Sequence, residues 1–349
     1  MTKKFTHTRI AAVYDGSVFY AKDAMNGLDL ANRWAEPSSR RTLVEEVKAE
    51  QASMARVVES LEKRVVVSDA APARSAVRRD HPLPPPPDFE LHRIEEGPLA
   101  DIFSLINPAM LYGRHLGLKG NVERLLADKD EKARKLYAAV ETLKQDILEK
   151  RYFTARGVYR FYPCRSRGND LLIHDPADPN RILETFTFPR QPAGERLCLS
   201  DYCRDVDSGE MDSVVFFIVT TGGGVRAWSQ KWKEAGEYLR SHMLQAIAIE
   251  SAEGFAEWLH QKIRKDWGFP DPPEQTIPDI LKGRYRGVRV SFGYPACPNM
   301  TDQRKLFQLL KATENIGVEL TEGDMMDPEA SVSALIFHHP DAKYFRADG

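Results

Sequence analysis

Two stretches near the C-terminus hold the residues best suited to chemistry: Arg289-Val-Ser-Phe-Gly-Tyr-Pro-Ala-Cys-Pro298 and His338-His-Pro-Asp-Ala-Lys-Tyr-Phe345. Arg289 offers a planar guanidinium fork that matches a carboxylate with two parallel hydrogen bonds. Gly293 lets the backbone approach a bound molecule closely, and Pro295 and Pro298 stiffen what reads as a loop. A lone Gly-Tyr-Pro is more often a structural turn, so the signal lies in the whole string, which reads as a ligand cradle. His338 and His339 invite a metal reading. Adjacent residues of a strand point to opposite faces, however, and no Cys or carboxylate is spaced to join them, so one inward and one outward histidine is expected, with no metal site.

The elements that must position these residues belong to an ordinary soluble globular composition. The chain has 349 residues, 42% hydrophobic and 29% charged, enough for one large domain or two smaller ones. Lys and Arg number 49 against 51 Asp and Glu, and a net charge of -2 argues against nucleic acid or an anionic membrane as partner. Apolar runs such as Val214 to Val219 are far short of the roughly 20 residues a membrane helix needs. Met1-Thr-Lys-Lys-Phe-Thr-His has basic residues but no apolar stretch behind them, so no secretory leader is expected. Cys164, Cys198, Cys203 and Cys297 form no Cys-x-x-Cys pair and read as reduced thiols in a cytoplasmic protein.

Organisation changes along the chain. Residues 9–21 read as two short strands around Asp15-Gly16, with Asp23 capping a helix to about Trp34. Leu43, Val47, Met54, Val57, Val58 and Leu61 recur at helical spacing, which predicts an amphipathic helix over 40–64 within a segment 39–66. Residues 67–88 turn to Ala, Arg and Pro and end in Pro82-Leu-Pro-Pro-Pro-Pro87, a composition for an extended linker. The remainder, 89–349, is predicted to be a mixed α+β domain. Helices are expected at 99–106, 129–150, 225–265 in two pieces, and after Thr301. Strands are expected at 157–163, 170–174, 182–188, 213–221, 318–320 and 332–338, mainly antiparallel. Gly222-Gly-Gly224 lacks the Lys-Ser/Thr of a phosphate loop and reads as a strand-to-helix turn.

Several separated strings carry a family resemblance. Arg151-Tyr-Phe-Thr-Ala-Arg-Gly-Val-Tyr, Asp201-Tyr-Cys, Ala256-Glu-Trp-Leu-His260, Gly293-Tyr-Pro-Ala-Cys-Pro298, Leu320-Thr-Glu, Pro328-Glu-Ala-Ser-Val-Ser333 and His339-Pro-Asp-Ala-Lys-Tyr344 stand in one order. Over residues 89 to 345 they closely resemble the C-terminal activation domain of cobalamin-dependent methionine synthase, which binds S-adenosylmethionine. Tyr14-Asp-Gly-Ser-Val-Phe-Tyr-Ala-Lys-Asp-Ala24 looks like the last strand and helix of the cobalamin-binding module preceding that domain, which makes 1–38 a remnant of it. The Asp-x-His-x-x-Gly motif of that module and its cofactor loops are not found, so cobalamin is expected only through a partner module.

The resemblance implies a methionine synthase activation domain-like fold, a twisted sheet with long flanking helices. It implies a component of a methyltransferase that methylates homocysteine in methionine biosynthesis. Its task is to supply the methyl group of S-adenosylmethionine when oxidised cobalamin is reductively remethylated. It also implies a flavodoxin-like reductant. The site residues it implies are Asn107 at a position where relatives place an Asp facing the ligand's amino group, Glu253 as an acidic neighbour, Arg289 for the carboxylate, and Ser291. Tyr294 is implied as wall or hydrogen-bond partner, Ala296 through its backbone, and Tyr344 and Phe345 as an aromatic pair. Gly283 stands where some relatives carry an acid. No side chain is given a catalytic role. A stand-alone reactivation or docking protein for another corrinoid methyltransferase is the alternative, and a regulatory ligand-binding module a third reading.

Overall fold

Nine consecutive residues, Asp212–Thr220, are buried without a break in the computed structural model, and they mark the centre of the fold. Antiparallel sheets usually leave one face in water and so alternate in polarity; an unbroken apolar run requires cover on both faces. Val214, Phe216 and Ile218 face one core together with Val158, Tyr162, Leu306 and Leu335. Val215, Phe217 and Val219 face another, built with Phe255, Leu259, Ile263 and Trp267.

The structure describes residues 6–11, 13–21, 24–64 and 74–347, leaving aside the side chains of 8, 9, 24, 25 and 54–64. The chain divides into two units, Met1–Ala71 and Pro72–Gly349. In the first, α1 (Ala24–Ala35) and α2 (Pro37–Arg64) form a helical pair. Arg33 bridges to Glu46 at 2.7 Å, the Phe19 and Trp34 rings meet edge to face at 5.1 Å, and Leu43 is buried. The strands expected over 9–21 are not formed among the described residues: Thr6–Ile10 is a π-helical turn and 14–21 has no regular structure. Without a neighbouring strand, an apolar run of that length has no partner for its backbone N–H and C=O groups. Asp23, read as a cap, and residues 67–73 of the expected linker lie outside the described residues.

The second unit runs β1 (Leu91–Ile94), α3 (Leu99–Ser104), α4 (Glu131–Lys150), β2 (Arg156–Arg167), β3 (Asp170–His174), β4 (Ile182–Thr187), β5 (Asp212–Thr220), α5 (Val225–Glu234) and α6 (Tyr238–Asp266). It continues with β6 (Val288–Ser291), α7 (Gln303–Leu310), β7 (Glu319–Leu320), β8 (Met326–Asp327) and β9 (Ser331–Phe337). The main sheet has the order β4-β3-β2-β5-β9-β6, and β1 shares an edge of the long β2 with β3. All these pairings are antiparallel, giving the mixed α+β architecture expected of the domain. α6 covers one face, and Gly254 allows it to approach α3, since a Cβ there would meet the Ile102 carbonyl oxygen at 2.7 Å. A third, helical cluster gathers Val140, Leu143 and Ile147 of α4 with Trp232, Leu244 and Ile247.

Two sequence expectations change here. Residues 74–88, inside the stretch read as a linker, are an extended strap held along the second unit. Ser75 Oγ donates to Asp201 at 2.6 Å, Arg78 pairs with Asp341 at 2.6 Å, and Trp267 Nε1 donates to the Pro84 carbonyl at 3.1 Å. Polyproline geometry leaves backbone carbonyls free, and here neighbouring side chains use them. The histidine pair is also corrected, because both rings are buried. His338 Nε2 lies 2.7 Å from Asp212 Oδ1, while the strap covers the opposite side and the Arg78 carbonyl meets His339 Nε2 at 2.9 Å.

Candidate functional site

The strand that carries Arg289 decides where its side chain goes. β6 is an edge strand, paired with β9 so that Arg289 lies opposite Ile336 and Val288 opposite Phe337. Val288 and Val290 point into the core beneath α7, so the alternation of a strand sends Arg289 and Ser291 to the α6 face. The stretch read as a loop is therefore a strand up to Ser291, and the turn is confined to the residues beyond it. Gly293 N–H donates to the Cys297 carbonyl and Cys297 N–H to the Tyr294 carbonyl, both at 2.8 Å. Gly293 has φ +86°, and a Cβ there would come within 2.7 Å of Met300 Sδ. This glycine is required by the turn and by Met300, whether or not a ligand approaches it.

A cavity of about 520 Å³ opens at this end of the sheet. Arg289, Ser291, Tyr294, Pro295 and Ala296 line it from β6 and its turn, Glu253 and Glu257 from α6, and Lys343, Tyr344 and Phe345 from the C-terminal segment. Gly283 and Tyr285 complete the wall. Gly283 has φ +68°, and the Tyr344 ring packs so close that an added Cβ would sit 3.4 Å from it. Tyr344 and Tyr294 are more than half exposed at the mouth. Phe345 packs inward, edge to face on Tyr202 at 6.4 Å, so the adjacent aromatics divide between mouth and core.

Electrostatically the cavity centres on Arg289, whose side chain is 11% exposed. Nη2 donates to Glu257 Oε2 at 3.0 Å, and Nη1 lies 3.7 Å from Glu253 Oε2, which is half exposed. Burial lowers the Arg289 pKa, but the charges of Glu257 and Glu253 outweigh it and the net direction is upward. Arg289 Nε and Glu257 Oε1 are buried without a hydrogen-bond partner. Such atoms are costly to leave unsatisfied, and both belong to side chains that line the cavity. Burial, then the carboxylate of Glu257, raises the Tyr285 phenol, and burial with Glu253 raises that of Tyr294, so both walls are neutral hydrogen-bonding rings.

Of the residues named from the sequence, Glu253, Arg289, Ser291, Tyr294, Ala296, Tyr344 and Phe345 come together here. Asn107 does not line the cavity; its Oδ1 accepts from Ala109 N–H at 3.0 Å and shapes the turn after α3. Glu257 and Tyr285 were missed. Glu257 was within reach of sequence reasoning, because it stands one helical turn after Glu253 and shares its face.

The family model described as vitamin B12 dependent methionine synthase, activation domain, matches residues 98–348. The chain belongs to this family. The crystal structure of the MetH reactivation domain bound to AdoHcy superposes with a TM-score of 0.75 at 26% identity, covering 81% of this chain and 89% of that one. The methionine synthase of Mycobacterium tuberculosis (strain ATCC 25618 / H37Rv) is 30% identical over 377 residues, spanning 99% of this chain. That of Mycobacterium leprae (strain TN) is 29% identical over 379 residues, again spanning 99%. The chain covers about a third, 31%, of the length of these curated relatives. The resemblance read from the sequence is borne out, as is the activation-domain fold.

Proposed function

We propose that this activation domain binds S-adenosylmethionine in the cavity around Arg289 and serves as the reactivating part of a cobalamin-dependent methionine synthase. The observation that carries the reading is the buried Arg289 fork, with an unsatisfied Nε, in a cavity walled by tyrosines and carboxylates. The AdoHcy bound to the superposed reactivation domain supports it. At about 520 Å³ the cavity has the size usual for a nucleotide-sized molecule. Arg289 receives the amino-acid carboxylate, Glu253 favours the cationic ammonium and sulfonium, and Tyr294 and Tyr344 flank the adenosine, with Phe345 backing the wall behind them; the adenosine edges meet backbone groups of 293–296. Asn107 is left out of this site.

A corrinoid bound to its own module would supply the reduced cobalt nucleophile for the methyl group, its electron coming from a flavodoxin-like reductant. The residues of this chain bind, orient and exclude water; no proton has to move, since the sulfonium leaves as a neutral thioether. The proposed partners are thus a cobalamin module of the same enzyme and its reductant, in the cytosol. Calorimetric titration of S-adenosylmethionine into the protein and into Arg289→Ala tests the reading. Loss of a charge-assisted bidentate contact should cost about 2–4 kcal/mol of binding. Equal affinity for parent and variant sinks the assignment.

A further inference from the structure

Glu257 is a buried charged wall of the cavity to which the proposed function gives no task. Its side chain is 8% exposed, in the middle of α6, and its Oε2 holds Arg289 Nη2 at 3.0 Å. Glu253 cannot substitute, since it stands 3.7 Å from the guanidinium and is half exposed, free to swing into water. The surroundings of Glu257 are rigid. One turn further along the same helix face, His260 is fully buried and meets the Tyr285 ring edge to face at 4.9 Å. Arg264 comes next, paired to Asp271 at 2.5 Å and stacked over Tyr285 at 4.0 Å. A packed tyrosine and a paired arginine therefore fix the base of the helix face from which Glu257 reaches Arg289.

An arginine on a four-residue edge strand has four rotatable side-chain bonds and would sample several directions if nothing held it. With Nη2 tied to Glu257, the fork has one orientation, and its Nε edge is left without a partner. Pre-orienting a charged group before the ligand arrives removes the cost of ordering it during binding. We propose that Glu257 is a positioning residue: it aims the Arg289 fork at the amino-acid carboxylate of the ligand and so sets the preference for nucleosides that carry that amino-acid tail. The inference rests on the proposed binding of S-adenosylmethionine in this cavity.

The test compares two nucleosides that differ in the tail. S-adenosylhomocysteine carries the amino acid and no reactive methyl, whereas 5′-methylthioadenosine lacks both carboxylate and amine. Glu257→Ala and Glu257→Gln are titrated by calorimetry with each, in the wild-type and Arg289→Ala backgrounds. Glu257→Ala should weaken S-adenosylhomocysteine by about tenfold to a hundredfold and leave 5′-methylthioadenosine within about twofold. In the Arg289→Ala background the same substitution should add almost nothing, because the group it aims is gone. Glu257→Gln keeps the volume and one acceptor oxygen, so it should fold even where Glu257→Ala does not and lose about tenfold. Equal weakening of both nucleosides, or none of either, overturns the positioning role and leaves the binding site standing. If the parent protein binds neither nucleoside, the proposed function falls and this inference falls with it.

Discussion

Two buried charge networks in the second unit differ in one respect, whether their hydrogen bonds close. Around Asp201 every acceptor is used: Oδ1 takes Arg190 Nη2 at 2.9 Å and Arg74 Nε at 3.3 Å, while Oδ2 takes Arg190 Nη1 at 2.5 Å and Ser75 Oγ at 2.6 Å. The pairing holds the Asp201 carboxylate below its usual pKa, although burial works the other way. Around Arg289 the network stays open, with Glu257 Oε1 and Arg289 Nε buried and unpaired in side chains that line the cavity. Similar burial and similar residue types thus serve opposite ends. A closed network fastens the strap, and an open one keeps the hydrogen-bonding capacity that the proposed ligand would use.

Breaking the closed network should have the largest effect on stability. Asp201→Ala leaves the buried Arg190 without a carboxylate and removes one of the anchors of Arg74 in the strap, which keeps Asp205 and Ser166, and urea denaturation should show a loss of about 3–5 kcal/mol. Any folded fraction should still bind S-adenosylhomocysteine, whereas Arg289→Ala should do the reverse, losing the ligand with less than half that stability change. If Asp201→Ala lowered affinity as much as Arg289→Ala, the two networks would not be separate.

The strap can also be probed by protons. Burial, then the charges of His339, Arg204 and His338, lower the His81 pKa from 6.5 to about 4, with Asp212 pulling it back up. Below its ordinary value the unfolded chain protonates His81 while the folded chain does not. Its contribution is therefore complete above about pH 6.5 and declines as pH falls toward 4. Urea midpoints should drop between about pH 7 and pH 5, and His81→Phe should flatten that slope. An unchanged slope would show that His81 does not make the hold of the strap pH-dependent.

The smallest effect concerns the turn. Gly293→Ala and Gly317→Ala both place a side chain at positive φ, +86° and +70°, and each should cost about 1–2 kcal/mol from backbone strain. Only Gly293 has Met300 in the way, whereas nothing lies within 4 Å of Gly317. Thermal melts should show the larger loss at Gly293, accompanied by a several-fold drop in ligand affinity absent at Gly317.

These contrasts explain what the sequence could and could not reveal. The strands of the sheet centre were legible because Val-Val-Phe-Phe-Ile-Val has no alternative but burial on both faces. β6 was not, since four residues of alternating Val-Arg-Val-Ser beside prolines look like a loop until β9 is known to lie alongside. The strap was misjudged for a similar reason: Pro-rich composition reports how a segment is shaped, while its docking depends on Asp201, Asp341 and Trp267, all remote in sequence. The cavity residues were found through ordered motifs, yet Glu257 escaped, because its importance is a distance to Arg289 and not a pattern. Asn107 shows the converse, a motif position whose side chain here serves its own turn.

The antiparallel ladder between β6 and β9 has a consequence for recognition. β9 runs directly into the segment that delivers Tyr344 and Phe345, while β6 carries Arg289, so one set of backbone hydrogen bonds sets the spacing between the guanidinium and the aromatic end of the cavity. A slip of a single residue would turn Arg289 into the core beneath α7 and exchange it for Val288 or Val290. The register of an edge strand thus acts as a ruler, and the length of the cavity is written in its backbone as much as in its side chains.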